Sequence, residues 1–125
     1  LSGNPLAVTA GLATLGLLTP DVYEILEQRG ARLQAGIESA LARRGVAGCV
    51  RRVGSMITLF FHPGPVRCYR DVTRADTARF AAWHRSLLAR GIYWPPSQFE
   101  AAFISAAHSP EDIDRTVEAI EASLD

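Results

Sequence analysis

The 125 residues are enough for one domain with a real hydrophobic core, since 48% of them are hydrophobic. Thirteen basic residues balance thirteen acidic ones, so charge gives no reason to expect binding to nucleic acid or to an anionic membrane. No apolar stretch approaches the roughly 20 residues that cross a bilayer, and no signal-peptide pattern is present, so we expect a cytoplasmic location.

The first predicted helix follows Asn4, which is typical of an N-cap with Pro5 at the first helical position. The apolar segment after it predicts a helix that is hydrophobic on nearly all sides and therefore needs burial all round. The chain begins at Leu1 without an initiator methionine, and we expect it to be a piece of a longer polypeptide.

The second predicted helix is long and amphipathic. Thr19 repeats the cap signal before a proline, and a helical stripe of apolar residues continues to the Arg-Arg-Gly45 stop signal. Gly30 and Gly36 lie inside this helix, where each costs about 1 kcal/mol of helix propensity relative to alanine. They indicate close packing against a neighbouring element.

The pattern then changes to the period of a β-strand. Residues 49–53 and 56–61 predict a hairpin with a turn at Gly54-Ser55. Residues 66–71 are predicted to form an irregular loop, and the segment from Thr73 to Asp76 is a capping-box-like start for a helix that ends near Gly91.

The C-terminal third predicts two short strands and a helix. Residues 92–94 are predicted as a strand, and residues 101–107 fit either a helix or a buried strand, of which we favour the strand. Ser109 then caps the last helix. The order predicts an α+β fold with a small antiparallel sheet of three or four strands, covered by helices on one face. We expect another domain or subunit to cover the other face and the first helix.

Few residue types point to chemistry. All thirteen basic residues are arginine, and without lysine no side chain can form a Schiff base. Cys49 and Cys68 lack the spacing of a disulfide framework or zinc site, so we expect two reduced thiols. The three histidines also lack metal-binding spacing, and no metal site is expected: His62, His84 and His108.

Glu100 lies in the segment WPPSQFEAAF and has two interpretations. Ser97-Gln98-Phe99-Glu100 has the S-x-x-E spacing of a helix capping box. Alternatively, the double proline presents the polar residues rigidly, and a glutamate at the edge of an apolar site suits substrate recognition or proton handling. Spacing alone leaves both possibilities open.

Taken together, SGNPLA, PPSQFEAAF and the tail AAHSPEDID resemble the carboxy-terminal part of the glutamate-1-semialdehyde 2,1-aminomutase family, which are class III, fold-type I enzymes dependent on pyridoxal phosphate. The resemblance runs from Leu1 to Leu124. It implies a homodimeric cytoplasmic enzyme that converts glutamate-1-semialdehyde to 5-aminolevulinate for tetrapyrrole synthesis. The cofactor lysine would lie upstream, in a large domain, so the resemblance implies no catalytic residue and no covalently held cofactor in this chain.

The resemblance also implies roles for individual residues. Glu100 would lie over the substrate pocket and engage an arginine from the other end of the parent chain, with Ser97 and Gln98 beside it. A turn next to the family's glycine-threonine pair, which reaches the cofactor phosphate of the neighbouring subunit, would supply the cofactor-binding residues: Ser2, Gly3 and Asn4. A helix N-terminus can bind an anion, although most helix starts bind nothing.

The same resemblance implies a domain division and partners. Residues 1–45 would be a helical connection from the large domain, and residues 46–125 the C-terminal α+β domain. The expected partners are the rest of the parent chain, a second subunit and a small-molecule substrate. Two alternatives stay open, namely another class III aminotransferase and a non-catalytic α+β interaction domain.

Overall fold

The computed structural model describes residues 3–125, which form an α+β fold, as predicted. Ser2, one of the expected cofactor-binding residues, lies outside the described residues. The elements in chain order are α1 (Pro5–Leu17), α2 (Pro20–Arg44), β1 (Cys49–Val53), β2 (Met56–Phe60), α3 (Tyr69–Val72), α4 (Thr77–Ala89), β3 (Ala102–Phe103) and α5 (Pro110–Glu121).

The three strands form one antiparallel sheet in the order β1-β2-β3. One face carries the buried residues Val50, Ile57 and Leu59, which join the main core with apolar residues of α2, α4 and α5. Alternation along each strand puts these residues on the same face, because neighbouring side chains point to opposite sides. The prediction of helices over one face of the sheet is therefore confirmed.

The other face of the sheet is covered at one end only. Phe60 packs there with Val66 and Ala75 in a second, smaller apolar cluster. At the other end, Met56 pairs with Phe103 in the strand register, and both side chains are exposed. The loop after β2 thus covers part of the sheet face that was expected to be covered by another domain or subunit.

The glycines inside α2 occupy points of close approach, as predicted. A Cβ at Gly30 would lie 2.7 Å from the carbonyl oxygen of Gly54, in the hairpin turn. A Cβ at Gly36 would collide with the side chain of Val117, on α5. Because α2 approaches the hairpin and α5 at these two positions, glycine is needed at both despite its low helix propensity.

The prediction for residues 66–76 is wrong in two details. The loop expected at residues 66–71 overlaps the short helix α3, and the Asp71 carboxylate accepts hydrogen bonds from the backbone N–H groups of Arg67 (2.8 Å) and Cys68 (3.2 Å). The following helix begins at Thr77, with Asp76 as its N-cap, and not at the expected Thr73. Asp71 at the third position of α3 and Asp76 as the N-cap of α4 thus accept N–H groups at two consecutive helix starts, which residue spacing alone did not separate.

The strand predictions near the C-terminus are also only partly correct. Residues 92–94 form no strand, because they lie in no hydrogen-bonded ladder, and the segment predicted at 101–107 pairs only at Ala102–Phe103. A strand needs a partner with a matching register, which a short apolar run cannot specify. α5 follows its predicted Ser109 cap and is confirmed.

Helix α1 lies on the surface of the described structure with no buried residue. Its side chains Leu6 and Leu17 are 81% and 72% exposed. Among the described residues, no single helix is long and apolar enough to span a membrane, and α1 and α2 pass that test only as a pair bent by 73°. The cover that the sequence analysis expects for α1 stays a prediction.

Candidate functional site

The segment that carries Glu100 is hydrogen-bonded to a histidine of α4 at its first residue. Trp94 is buried and packs edge-on against Trp83 of α4, with ring centroids 5.5 Å apart. Its carbonyl oxygen lies 2.8 Å from Nε2 of His84, which must donate because a carbonyl can only accept. The next two residues are prolines without an N–H, so the backbone has few hydrogen bonds of its own here.

A tight turn then carries the chain from Ser97 to Glu100. The N–H of Glu100 donates to the carbonyl of Ser97 (3.1 Å), and the N–H of Phe99 donates to the Ser97 hydroxyl (3.2 Å). No helix follows, so the interpretation of this spacing as a helix capping box is wrong. The Thr58 hydroxyl donates to the carbonyl of Glu100 (3.3 Å) and ties the turn to β2.

Glu100 lies at the rim of a cleft of about 660 Å³. The cleft runs between the segment 91–96, strand β3 and the N-terminal half of α5. Its floor is apolar and includes Leu33, Ile57 and Ile113, whereas its polar lining residues are Tyr93, Glu100, His108, Asp112, Arg115 and Thr116. An apolar cleft with a few charged groups suits a small polar molecule or another polypeptide segment.

The other two residues expected near the substrate are not on the cleft surface. Gln98 is only 2% exposed, and within the described residues neither polar atom of its carboxamide has a hydrogen-bond partner. Ser97 is half-buried, and its hydroxyl is occupied by the Phe99 N–H. Neither lines the cleft, so their roles beside the substrate stay predictions.

At the described start of α1, the first N–H groups are engaged within the helix, and the cofactor-binding role expected for Gly3 and Asn4 stays a prediction. Asn4 accepts the N–H groups of Leu6 (3.0 Å) and Ala7 (3.3 Å) on its side chain and that of Val8 (2.9 Å) on its carbonyl. Pro5 has no N–H to offer. Because the N–H donors of the first helical turn are engaged, binding of a phosphate beside Gly3 and Asn4 would have to use other donors.

Two histidines that the sequence analysis left without a specific function hold the surroundings of Glu100. His84 anchors the beginning of its segment, and His108 accepts the N–H of Ser105 on Nδ1 (3.0 Å) at the other side of the cleft. The position of His84 on a helix face and of His108 before a helix cap were the only signals in the sequence. In the part of the chain that the structure describes, no group of three or more metal-ligating side chains comes together.

The end of the cleft at α5 is fixed by a capping box. The Ser109 hydroxyl accepts the N–H of Asp112 (3.1 Å), and the Asp112 carboxylate accepts the N–H of Ser109 (2.9 Å). Hydrogen bonding to the carboxylate, first from the Ser109 backbone N–H and second from the Ser109 side chain, holds the pKa of the Asp112 carboxyl below its usual range. Asp112 is therefore ionised at neutral pH, as a carboxylate in the first turn of a helix should be.

Comparison with known proteins gives close sequence relatives along the whole chain. A glutamate-1-semialdehyde 2,1-aminomutase of Sorangium cellulosum is 63% identical over 124 residues, which are 99% of this chain and 28% of that protein. A second, from Thermus thermophilus, is 54% identical over 99% of this chain and 30% of that protein. The predicted resemblance to the aminomutase family is confirmed. No family model matches the chain.

The solved structures agree with the sequence relatives. The aminomutase of Pseudomonas aeruginosa PAO1 in complex with PMP superimposes with a TM-score of 0.88 at 26% identity, over 98% of this chain and 27% of that one. An omega-transaminase from Sphaerobacter thermophilus gives a TM-score of 0.84 at 28% identity, over 98% of this chain and 28% of that one. The α+β fold is therefore that of one part of these larger enzymes. The chain spans less than a third of the curated aminomutases that it matches.

Proposed function

We propose that this chain forms part of a glutamate-1-semialdehyde 2,1-aminomutase, which moves an amino group between adjacent carbons to give 5-aminolevulinate for tetrapyrrole synthesis. The observation that carries the proposal is sequence identity of 50–63% to aminomutases along the chain. Among the solved structures, the aminomutase of Pseudomonas aeruginosa (26% identical) and the omega-transaminase (28% identical) are about equally distant in sequence, so these neighbours do not separate the two activities. Because the fold is shared by both activities, the sequence identity favours the aminomutase.

Glu100 is the residue of this chain that we assign to substrate recognition. It is exposed at the rim of a cleft, and its backbone is held on both sides by hydrogen bonds to Ser97 and Thr58. A carboxylate on a fixed backbone can accept two hydrogen bonds from an amino or guanidinium group, and it loses little freedom in doing so. Its proposed partners are the substrate amine and an arginine from the rest of the parent polypeptide.

The proposed cofactor is pyridoxal phosphate, which supplies an electron sink when it is bound. None of the 125 residues is lysine, so attachment of its aldehyde to a side-chain amine requires sequence outside this chain. Residues 2–4 are proposed to lie near the phosphate. Because Asn4 engages the N–H groups of the following helical turn, its part there is to fix the backbone. Alone, the 125 residues are proposed to be inactive.

The exposed apolar surface of α1 supports the proposal that further polypeptide covers this helix. Every residue of α1 that the structure describes is exposed, and Leu6, Leu12 and Leu15 are all more than half exposed. Contiguous exposed leucines are unfavourable in water, and such apolar patches usually mark a surface that contacts other protein. We propose that the rest of the parent chain and the second subunit of a cytoplasmic homodimer supply this cover.

The decisive experiment assays the complete polypeptide that carries this chain. Purified protein is supplied with glutamate-1-semialdehyde, or in parallel with ordinary amino acids and 2-oxoglutarate. We expect 5-aminolevulinate from the first mixture and no comparable transamination in the second. The opposite result would replace the aminomutase by a class III aminotransferase, and inactivity in both with a folded, cofactor-loaded protein would refute the proposal.

The assignment of Glu100 is tested by substitution in the same polypeptide. Glu100→Gln keeps the shape of the side chain and removes its charge, so kcat/KM for glutamate-1-semialdehyde should fall with little change in stability. The matched control is Glu118→Gln, which removes a charge from an exposed position of α5 outside the cleft. Equal kinetics for the two variants would contradict the assignment.

A further inference from the structure

We infer that His84 is a positioning residue for Glu100, an inference that rests on the proposed function of Glu100. His84 belongs to α4, and neither the sequence pattern nor the comparisons give it a role. Its imidazole donates from Nε2 to the carbonyl of Trp94, six residues before Glu100. It thereby fixes the backbone at the point where the Glu100 segment leaves the core.

The segment depends on this bond because it has few others. Pro95 and Pro96 contribute no N–H, so they cannot secure the chain between Trp94 and the turn at residues 97–100. The carbonyl of Trp94 belongs to a buried residue, and an unpaired buried carbonyl is costly. His84 satisfies it from a helix that is packed into the core through Trp83.

The backbone between Trp94 and Glu100 is short and conformationally restricted, so the position of His84 affects that of Glu100. Each proline fixes its own φ angle, and the residue before a proline is restricted as well. The turn that follows is closed by the bond from the Glu100 N–H to the Ser97 carbonyl. A shift of the Trp94 carbonyl therefore reaches the turn that carries Glu100, whose other anchor is the hydrogen bond from the Thr58 hydroxyl to the Glu100 carbonyl. An error of about 1 Å in such a group can lower activity on the order of a hundredfold.

The test compares two substitutions of His84 in the complete cofactor-loaded protein. In His84→Leu the donor is lost, whereas in His84→Gln an amide N–H can reach from a position similar to that of imidazole Nε2. We expect kcat/KM for glutamate-1-semialdehyde to fall about 10- to 100-fold in His84→Leu and to recover in His84→Gln. Arg85→Ala, at the next and exposed position of α4, is the control and should behave like the unaltered protein.

A readout independent of activity follows the turn itself. The amides of Phe99 and Glu100 are hydrogen-bonded within the turn, and their hydrogen exchange reports its opening. Loss of one net hydrogen bond should speed their exchange about five- to tenfold in His84→Leu, with unchanged exchange in His84→Gln. Unchanged exchange in both variants would overturn the inference, whatever the kinetics are.

A double-substitution cycle separates positioning from general damage. If His84 acts through Glu100, His84→Leu should cause little further loss of kcat/KM once Glu100→Gln is present. Independent, multiplying losses would overturn the inference, since they indicate a purely structural role for His84. If Glu100→Gln alone has no effect, the proposed function of Glu100 fails, and the positioning role fails with it. The exchange experiment then still shows whether His84 holds the turn.

Discussion

The contact between α2 and α5 gives the most quantitative prediction for the stability of this fold. Gly36 of α2 faces Val117 of α5, and a Cβ added at Gly36 would overlap Cγ2 of Val117, lie 2.9 Å from its Cγ1 and 3.2 Å from its Cβ. Ordinary van der Waals contact begins at about 3.4 Å. Because Cβ does not move when the side chain rotates, a change of rotamer does not relieve all of the overlap.

Two terms of opposite sign set the effect of Gly36→Ala. Alanine improves the helix propensity of α2 by about 1 kcal/mol. Overpacking costs about 1–3 kcal/mol, here with α5 displaced or Val117 forced out of the rotamer that it prefers in a helix. The net change should therefore be a loss of about 0–2 kcal/mol in the free energy of unfolding, although the same substitution in an open helix is stabilising.

Urea unfolding followed by circular dichroism measures this balance, with a second substitution to isolate the contact. Val117→Ala removes the two methyl groups that collide, at a cost of about 1 kcal/mol for a half-buried side chain. In the double variant the new methyl at position 36 occupies the vacated space. We expect the double variant to be more stable than the sum of the single effects by about 1–3 kcal/mol.

Ala35→Gly, at the neighbouring exposed position, calibrates the propensity term and should lose about 1 kcal/mol. The predicted overlap at Gly36 is contradicted if Gly36→Ala gains the full propensity term and the two substitutions are additive within about 0.5 kcal/mol. Such a result would mean that α2 and α5 are not in close contact at this point.

Three further predictions concern polar groups. Replacing Gln98 by leucine should leave the free energy of unfolding unchanged or raise it, because the buried carboxamide has no partner among the described residues; a loss above about 2 kcal/mol would contradict this. Hydrogen bonds with Ser109 lower the pKa of the Asp112 carboxyl in the folded state below its unfolded value. Its contribution to stability is therefore present above about pH 4 and is lost as the pH falls through the folded-state pKa. Thermal melts should show a smaller loss of stability on acidification in Asp112→Asn than in the unaltered protein. Arg52→Met should lower stability in urea unfolding by about 1–3 kcal/mol, since the Arg52 side chain is 13% exposed and donates to Glu27 twice and also to Gln34 and to the Gly54 carbonyl, whereas a loss near zero would show that these are solvated surface contacts.

The parts of the fold that were predicted correctly depend on short local patterns. The starts of α1, α2 and α5 follow from a capping residue before a proline, a signal contained in two adjacent positions. The close packing of Gly30 and Gly36 was also indicated, because a glycine inside a long helix needs a reason. The residue that each glycine contacts could not be predicted, because a glycine indicates close packing but does not identify the packing partner.

The errors in the C-terminal strands and in the turn at Glu100 occurred where an element depends on a distant partner. The run at residues 92–94 has strand composition, yet no strand lies beside it in register. The spacing from Ser97 to Glu100 fits a helix cap as well as a turn, and the chain after it pairs with β2 at Ala102–Phe103, while Thr58 of β2 donates to the Glu100 carbonyl. Composition and spacing contain no information about such bonds.

Residue patterns alone predicted the starts of α1, α2 and α5, the hairpin, the absence of a lysine and the likeness of the site segment to an aminomutase. Only the tertiary structure placed Glu100 at a cleft, buried Gln98 and joined His84 to the carbonyl of Trp94. The physical reason is that caps and periodicity act over a few neighbouring residues. The hydrogen bonds and packing of a site join residues from separate elements, and their geometry exists only after the core has formed.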